Sequence, residues 1–418
     1  MKPRLGSVRQ QPDFVNLWAA HTVSAFGSAV TGVALPLTAV LALGASPAQM
    51  CLLRVAGGVP ALLFSLFAGV WVDRLRRRPV LIGADLGRAL LLRSVPVAAL
   101  LGLLRMEHLY VVAFLTGALS LFFDIAVTSY LPVLIRRKDL VGGNTRLQVS
   151  DSVASVAGPG LGGVLTQLLT APVAIAFDAL SFALSALLLR RIHAEEAPLA
   201  PLPERRDVWR EIGEGLRFLL ANPLLRAMTV SSALGSLALS MQGAVLVLFA
   251  TRSLGLSPAL LGLIFASRGI ASLVGAVLAG RAGRAMGAGP AVVWGTLLSV
   301  LGSLVIPLAG GSLVVAVPTL VAAQVLLGIG SPIYSVNQIT LRQSITPDRV
   351  LGRVNASRRF LVFGAAPVGA LFGGTLGSLL GLRPTLLAGA LILMLAFLTV
   401  LLSPLRRGMS EVAFLPRP

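Results

Sequence analysis

Long apolar runs, separated by short polar turns, extend through almost the whole sequence. A hydrocarbon layer of roughly 30 Å takes about 20 residues of helix to cross, and the runs have that length. The chain is 56% hydrophobic and 12% charged, unlike soluble globular domains. The strands of a transmembrane barrel are shorter, at about ten residues, and alternate in polarity. The sequence therefore predicts an all-α integral membrane protein.

Twelve of these runs are predicted to be transmembrane helices. The first six are expected at residues 15–41, 47–72, 79–104, 108–135, 141–169 and 172–192. The last six are expected at residues 224–251, 258–283, 288–309, 312–339, 351–380 and 384–404. The first run is too long for a signal peptide, and no small-residue cleavage site follows it. The predicted domains are two six-helix bundles (1–192 and 224–404), a cytoplasmic linker (193–223) and a cytoplasmic tail (405–418).

The net charge of +19 is distributed unevenly along the chain. Most of the 35 Lys and Arg residues lie in the terminal segments, the linker and the turns after every second run. The turns on the opposite side hold only Arg105, Arg252 and Arg383. Positive residues accumulate in cytoplasmic loops, so both termini are predicted to be cytoplasmic. The charge thus reports topology and does not imply a nucleic-acid partner.

Residue types that serve catalysis are sparse and scattered. The single Cys51 has no partner for an intramolecular disulfide. His21, His108 and His193 are too far apart in sequence for a metal-ligand spacing. No metalloprotease, hydrolase or nucleotide-binding motif occurs. We expect no enzymatic activity, no metal site and no cofactor.

An internal repeat relates the two halves of the chain at an offset of 211 residues. "LGASPA" from Leu43 recurs as "LGLSPA" from Leu254, and farther along Asn144 recurs as Asn355. An offset that covers six helices, an even number, gives both halves the same direction through the membrane. The predicted fold is two parallel-repeat six-helix bundles that face each other.

The linker contains the segment "ERRDVWREIGEGLRFLLANP". Val208, Ile212, Leu216 and Leu219 lie on one face of the helix that this segment would form. We expect an amphipathic helix on the membrane surface or on the base of a bundle, which is also what a plain structural linker would look like.

The turn between the second and third runs, "AGVWVDRLRRRPVL", concentrates charge in an apolar chain. Its Gly69, Asp73, Arg74, Arg77 and Arg78 resemble the Gly-x-x-x-Asp-Arg-x-x-Arg-Arg signature of the major facilitator superfamily. The resemblance implies a conformational latch that bonds in one state of a transport cycle. Alternatively, the arginines only anchor topology. The repeat copy, "AGRAGR", lacks the aspartate, so a second latch is not expected.

Segments along the whole chain, such as "FFDIA", "FDALSF" and "LGRVN", resemble the drug and siderophore exporters that include the enterobactin and macrolide efflux proteins. Within this branch, "AGPGLGG" is similar to the antiporter motif of exporting members. Its residues Gly158, Pro159, Gly162 and Gly163 would permit close helix contact and a bend. Close packing of small residues is the alternative interpretation. The resemblance favours export over import.

Ionisable residues within the membrane are functional candidates because they are costly to bury. Asp124, halfway along the fourth run, and Asp151, on one face with Asn144, are the proton-coupling candidates, although Asp124 could instead be paired with an arginine. Asp85 and Arg88 lie three residues apart and are expected to pair structurally.

Three further kinds of intramembrane residue are assigned. Asp178 is expected to be structural. Arg268 and Arg54 could bind an anionic substrate or neutralise a carboxylate. Gln242, Gln324 and Asn337 could contact the substrate or could serve as ordinary hydrogen-bonding links between helices. Multidrug members of a neighbouring branch resemble each other in carrying an acidic residue in the first span. The first run here holds only His21, near its inner end, so the proton site is expected elsewhere or the coupling is expected to be weak.

The sequence predicts a secondary active exporter that exchanges amphipathic small molecules or drugs for protons by alternating access, with the proton gradient as its energy source. The alternatives are a siderophore or lipid-like metabolite exporter and an uptake carrier of the same fold. The expected partners are a small-molecule substrate, protons and the lipid bilayer. We expect a monomer that crosses the prokaryotic inner membrane many times.

Overall fold

The computed structural model describes residues 11–73, 75–136, 139–194, 196 and 208–407. These residues form thirteen α-helices and no β-strand. The first six helices are α1 (Pro12–Leu37), α2 (Pro47–Asp73), α3 (Arg77–Leu100), α4 (Met106–Leu134), α5 (Leu140–Leu168) and α6 (Ala171–Arg190). The remaining seven are α7 (Val208–Ala221), α8 (Pro223–Leu248), α9 (Pro258–Met286), α10 (Ala288–Val305), α11 (Leu313–Ile345), α12 (Asp348–Leu379) and α13 (Leu382–Leu401).

Ten helices in the described part of the chain are long and apolar enough to cross a membrane. The two remaining long helices are more polar than these ten. Helix α3 carries Asp85, Arg88 and Arg93 along its length, and α5 is rich in glycine and small polar residues. The all-α membrane fold is confirmed, whereas the count of twelve spans stays a prediction.

The 211-residue repeat holds helix by helix. Helix α8 begins and ends 211 residues after α1, and α13 begins and ends 211 residues after α6. Both α1 and α8 continue into one π-helical turn, Thr38–Ala42 and Phe249–Ser253. Each π-helical turn leads to a glycine with positive φ, 62° at Gly44 and 65° at Gly255, a conformation that glycine adopts without steric cost. The parallel repeat predicted from the sequence is confirmed.

Helix packing divides the chain into two compact units. The first contains Met1–Leu202 and Ser257–Ala266, and the second contains Pro203–Leu256 and Ser267–Pro418. In the first unit, α1, α3, α4 and α6 enclose an apolar core that includes Phe14, Leu17 and Tyr130. In the second unit, Leu219 of α7 packs into a core shared by α8, α10 and α11. The amphipathic helix α7 therefore buries part of its apolar stripe against the second unit.

Candidate functional site

A polar cavity of about 750 Å³ lies in the first unit, between α1, α4 and α5. Its volume falls within the usual range of small-molecule sites. Two carboxylates and one imidazole line it, and no Lys or Arg is among the described lining residues. The lining residues are His21, Asp124, Val127, Thr128, Asn144, Thr145, Leu147, Gln148, Val149, Asp151 and Ser152. The two proton-coupling candidates from the sequence thus share one cavity.

His21 and Asp151 form a pair at this cavity. The His21 Nε2 atom lies 2.8 Å from Asp151 Oδ1, and the two side chains are 13% and 46% exposed. The imidazole stacks on Phe123, with ring centroids 6.5 Å apart and an angle of 7° between planes. Its Nδ1 atom is buried and has no hydrogen-bond partner within the described residues. A neutral His21 that donates from Nε2 therefore keeps the Nδ1 lone pair available for a proton.

Asp124 faces the same cavity from α4. Its side chain is exposed and lies near enough to His21, Asp151 and Arg88 to interact with their charges. No ion pair of Asp124 is found in the part of the chain that the structure describes. The geometry therefore favours an available carboxylate over one locked to an arginine.

Hydrogen bonds between α1 and α5 fix the position of the His21–Asp151 pair. Trp18 Nε1 donates to Ser150 Oγ at 3.0 Å. The hydroxyls of Thr22 and Ser150 lie 2.7 Å apart. Thr22 and Ser150 are adjacent to His21 and Asp151 in sequence, and Trp18 lies three residues before His21, so these contacts hold the imidazole and the carboxylate in register.

A buried charged group lies behind Phe123. Arg88 pairs with Asp85, and both are almost fully buried. Its guanidinium lies over the rings of Phe123, at 4.3 Å from the centroid, and Phe182, at 4.1 Å. Such cation–π contacts are strongest where water is excluded. The pairing matches the structural role expected for Asp85 and Arg88.

Asp178 is buried in α6, where Ser181 Oγ lies 3.0 Å from its Oδ1 atom. This carboxylate also lies against Gly27 of α1, at a place where a larger residue would collide with it. Its surroundings fit the structural role that was expected.

The residues of the superfamily signature are described only in part. Gly69 and Asp73 lie in the last turns of α2, where the backbone alone is described, and Arg74 lies outside the described residues. Arg78 donates to the carbonyl oxygens of Leu189 at 3.3 Å and Arg190 at 2.6 Å, at the end of α6. Its contacts thus lie within the first unit, at the helix C-terminus that favours a cation.

Glu196, which the sequence did not single out, binds the start of α3. Its carboxylate accepts from the backbone N–H groups of Arg77 at 2.7 Å and Arg78 at 2.9 Å. The Arg77 guanidinium lies 3.7 Å away. The carboxylate satisfies donors that a helix N-terminus leaves open, and it attaches the beginning of the linker to the first unit. No spacing rule predicts this contact across more than 100 residues.

The antiporter-like motif packs α5 closely against other helices of the first unit. A Cβ on Gly158 would collide with Ala29, and one on Gly162 would lie 2.9 Å from the Val30 carbonyl oxygen. Gly163 and Gly262 also approach each other through their backbones, and Pro159 lies inside α5.

The second unit repeats this contact, because Gly373 lies against Met241. These residues follow Gly162 and Val30 by 211 positions. Because both repeats have this close glycine contact, helix packing accounts for it.

The remaining candidates lie apart from the cavity lining. Arg54 is an exposed residue of α2. Arg268 of α9 is half-buried and has no side-chain hydrogen bond or ion pair in the described part of the chain. Gln324 is buried, and its Oε1 has no partner among the described residues.

Two buried amides link helices of the second unit. Gln242 donates to the Leu386 carbonyl at 2.8 Å and accepts from Ser303 at 3.0 Å. Asn337 donates to the carbonyls of Ala279 at 3.0 Å and Ile333 at 2.9 Å. Their geometry favours interhelical linking over contact with substrate.

Two six-helix repeats with a polar cavity define a membrane transporter of the major facilitator type. The chain belongs to the transmembrane secretion effector family, whose sequence model matches residues 6–416.

Among curated proteins, the chain is similar to the multidrug efflux pump Tap of Mycolicibacterium fortuitum. The two are 28% identical over 413 residues, which cover 96% of this chain and 98% of Tap. It is also 27% identical to the enterobactin exporter EntS of Salmonella typhimurium, over 90% of this chain and 88% of EntS.

Solved structures share the fold. A bacterial homologue of the iron transporter ferroportin in the inward-facing state has a TM-score of 0.75 and 19% identity, over 93% of this chain and 98% of that chain. The nucleoside transporter NupG has a TM-score of 0.77 and 11% identity, over 93% and 98% of the two chains. The chain is thus an exporter-related member of the major facilitator superfamily.

Proposed function

We propose that this protein is a proton-coupled exporter of amphipathic small molecules that carry a cationic group. The observation that carries the proposal is the cavity of the first unit, where Asp124 and the His21–Asp151 pair meet and no Lys or Arg is found among the lining residues that the structure describes. The names of the relatives Tap and EntS support export. Because EntS is an enterobactin exporter, a siderophore exporter is the second candidate function.

The site couples cargo to protons through competition for negative charge. In this proposal the proton is taken up at His21 Nδ1, on the first run, where the sequence did not predict a proton site. The imidazolium lies 2.8 Å from Asp151, which stabilises it. A cationic cargo that pairs with Asp151 and Asp124 removes that stabilisation, so the proton leaves. Reciprocal binding of two ligands at one site gives exchange when the site opens alternately to the two sides.

The proposed transport cycle is alternating access by a protein of two bundles, 1–192 and 224–404. The linker (193–223) and the tail (405–418) are cytoplasmic in this proposal, as are both termini. The cycle takes its energy from the proton gradient, and one chain carries it out. Asp73 and the arginines after it act as the latch that is expected from the superfamily signature.

Proton movement in inside-out vesicles with an acidic lumen tests the proposal. Cationic dyes, macrolides and a catecholate siderophore are added one at a time to wild type, Asp124→Asn and Asp151→Asn. We expect a cationic compound to release protons from the lumen of wild-type vesicles, and both variants to lose the release. Glu107→Gln is the matched control and should behave like wild type. It removes an exposed carboxylate from the first turn of α4. Transport of every compound without proton movement would refute coupling.

A further inference from the structure

A second polar cluster lies in the second unit, where α8, α11 and α12 contribute two arginines, a tyrosine, a serine and a glutamine. Arg358 Nη2 donates to Ser232 Oγ at 3.0 Å. The Ser232 hydroxyl lies 2.6 Å from the Tyr334 hydroxyl. Arg342 Nη1 donates to Gln338 Oε1 at 3.3 Å. With the amide oriented to satisfy both arginines, the same oxygen accepts from Arg358 Nε at 3.1 Å. One neutral amide thus holds two guanidinium groups together.

The cluster has an excess of positive charge. Neither Arg342 nor Arg358 forms an ion pair with a carboxylate in the part of the chain that the structure describes. Arg342 is only 8% exposed, and its buried Nε has no hydrogen-bond partner among those residues. The carbonyls at the end of α11 supply a partial charge of about −0.5, against two full positive charges. Buried arginines are normally paired, and the described residues supply this cluster with no anion.

The repeat relates this cluster to the cavity of the first unit. Moving back by 211 residues places Ser232 on His21, Gln338 on Val127 and Arg358 on Leu147, all of which line the cavity. Tyr334 corresponds in the same way to Phe123, the ring on which His21 stacks. The two units thus carry different polar groups in the same region of the repeat, although Arg358 and Arg342 correspond to Leu147 and Leu131 and not to the carboxylates.

We propose that Arg342 and Arg358, with Ser232, Gln338 and Tyr334, form a binding site for an oxyanion, a phosphate or carboxylate group. Guanidinium groups present several N–H donors in a plane and bind such groups through charge-assisted hydrogen bonds. The Nε of Arg342, which has no partner among the described residues, is the donor that the anion would occupy. This site lies in a different unit from the cavity, and its anion binding does not depend on proton-coupled export.

The oxyanion has two possible sources, a soluble small molecule and a lipid headgroup, which share this chemistry. Purified full-length protein in phosphatidylcholine nanodiscs is titrated with inorganic phosphate by calorimetry, at an ionic strength held constant with chloride. In a second arm, the thermal midpoint is compared between phosphatidylcholine and phosphatidylglycerol nanodiscs. Wild type, Arg342→Gln and Arg358→Gln are measured in both arms. Arg359→Gln is the matched control, because Arg359 is an exposed neighbour on the same helix.

We expect saturable phosphate binding that weakens about tenfold or more in Arg342→Gln and Arg358→Gln, since each change removes charge-assisted hydrogen bonds to the anion. Arg359→Gln should bind like wild type. Stabilisation by phosphatidylglycerol alone, lost in the same two variants, also supports the site and assigns the anion to lipid.

The proposal is overturned if neither phosphate nor phosphatidylglycerol distinguishes the two variants from Arg359→Gln. Should Arg342→Gln fail to fold, Arg358→Gln and Arg358→Lys test the same site. Lysine keeps the charge but not the planar set of donors, so Arg358→Lys should retain part of the affinity that Arg358→Gln loses. Equal binding by wild type and both Arg358 variants would then refute the site.

Discussion

Single side chains decide the chemistry in and around the cavity of the first unit. His21 lies one hydrogen bond from Asp151, and its Nδ1 atom is free of partners among the described residues. Arg88 is held by Asp85 and by two aromatic rings, so it is not available to a ligand in the cavity. His21 therefore has a ring nitrogen without a partner among the described residues, where a proton can bind, and Arg88 stabilises the first unit.

His21→Asn should separate cargo binding from proton exchange. Asparagine can still donate a hydrogen bond toward Asp151 but cannot take up a proton at neutral pH. We expect cargo binding within about threefold of wild type and loss of cargo-driven proton release, measured by equilibrium binding and by a lumenal pH dye. Retained proton release would show that the carboxylates act without the imidazole, and proton-coupled export itself would still stand.

Arg88→Met should strongly destabilise the first unit. The change leaves Asp85 without its cation, and removal of one member of a buried ion pair costs about 3–5 kcal/mol. We expect a lower thermal midpoint in detergent than for Asp85→Asn/Arg88→Met, which removes both charges. Equal midpoints for the single and double variants would contradict a structural ion pair.

Helices pack closely where glycines face a neighbouring backbone. Gly162 of α5 lies against Val30 of α1, and the equivalent Gly373 of α12 lies against Met241 of α8. Helix association in lipid depends on such close contact between small residues. The contacts position α5, and therefore Asp151, relative to the imidazole on α1.

Gly162→Ala should destabilise the α1–α5 contact. The added Cβ would lie 2.9 Å from the Val30 carbonyl oxygen, so backbone must move, at a cost of about 1–3 kcal/mol. Gly160→Ala is the control two residues away, because its Cβ would meet only Ala266 at 3.8 Å. Thermal unfolding of both variants compares them, and a Gly162→Ala midpoint as high as that of Gly160→Ala would argue against close packing.

The whole molecule is a repeat of one six-helix pattern with different charges in its two copies. The first unit has Asp124 and Asp151 at its cavity, and the second has Arg342 and Arg358 in its polar cluster. The same helix pattern can thus carry polar groups of opposite charge, because helix packing fixes the backbone while the local side chains set the charge.

Labelling of single cysteines tests the predicted topology. In a Cys51→Ser background, Arg105→Cys and Arg136→Cys place a thiol in exposed turns before and after α4. A membrane-impermeant maleimide added to intact cells should label Arg105→Cys and leave Arg136→Cys unlabelled until the membrane is opened. The opposite pattern would reverse the orientation and place both termini outside.

The membrane class and the repeat were determined by the sequence alone. So were the helix bounds to within four residues, except that α11 ends six residues later than predicted. Hydrophobic run length and the 211-residue offset are properties of the chain that no tertiary contact alters. Asp124 and Asp151 were also named from the sequence as proton-coupling candidates, since an acidic residue within an apolar run is visible in the sequence.

Only the tertiary structure decided which polar groups meet. His21 and Asp151 are 130 residues apart, and their contact depends on how α1 and α5 rotate against each other. The same holds for Glu196 at the start of α3 and for Gln338, whose one oxygen joins two arginines. The partner of a buried polar group is set by the packing of whole helices, and sequence spacing reports only which residues share a face of one helix.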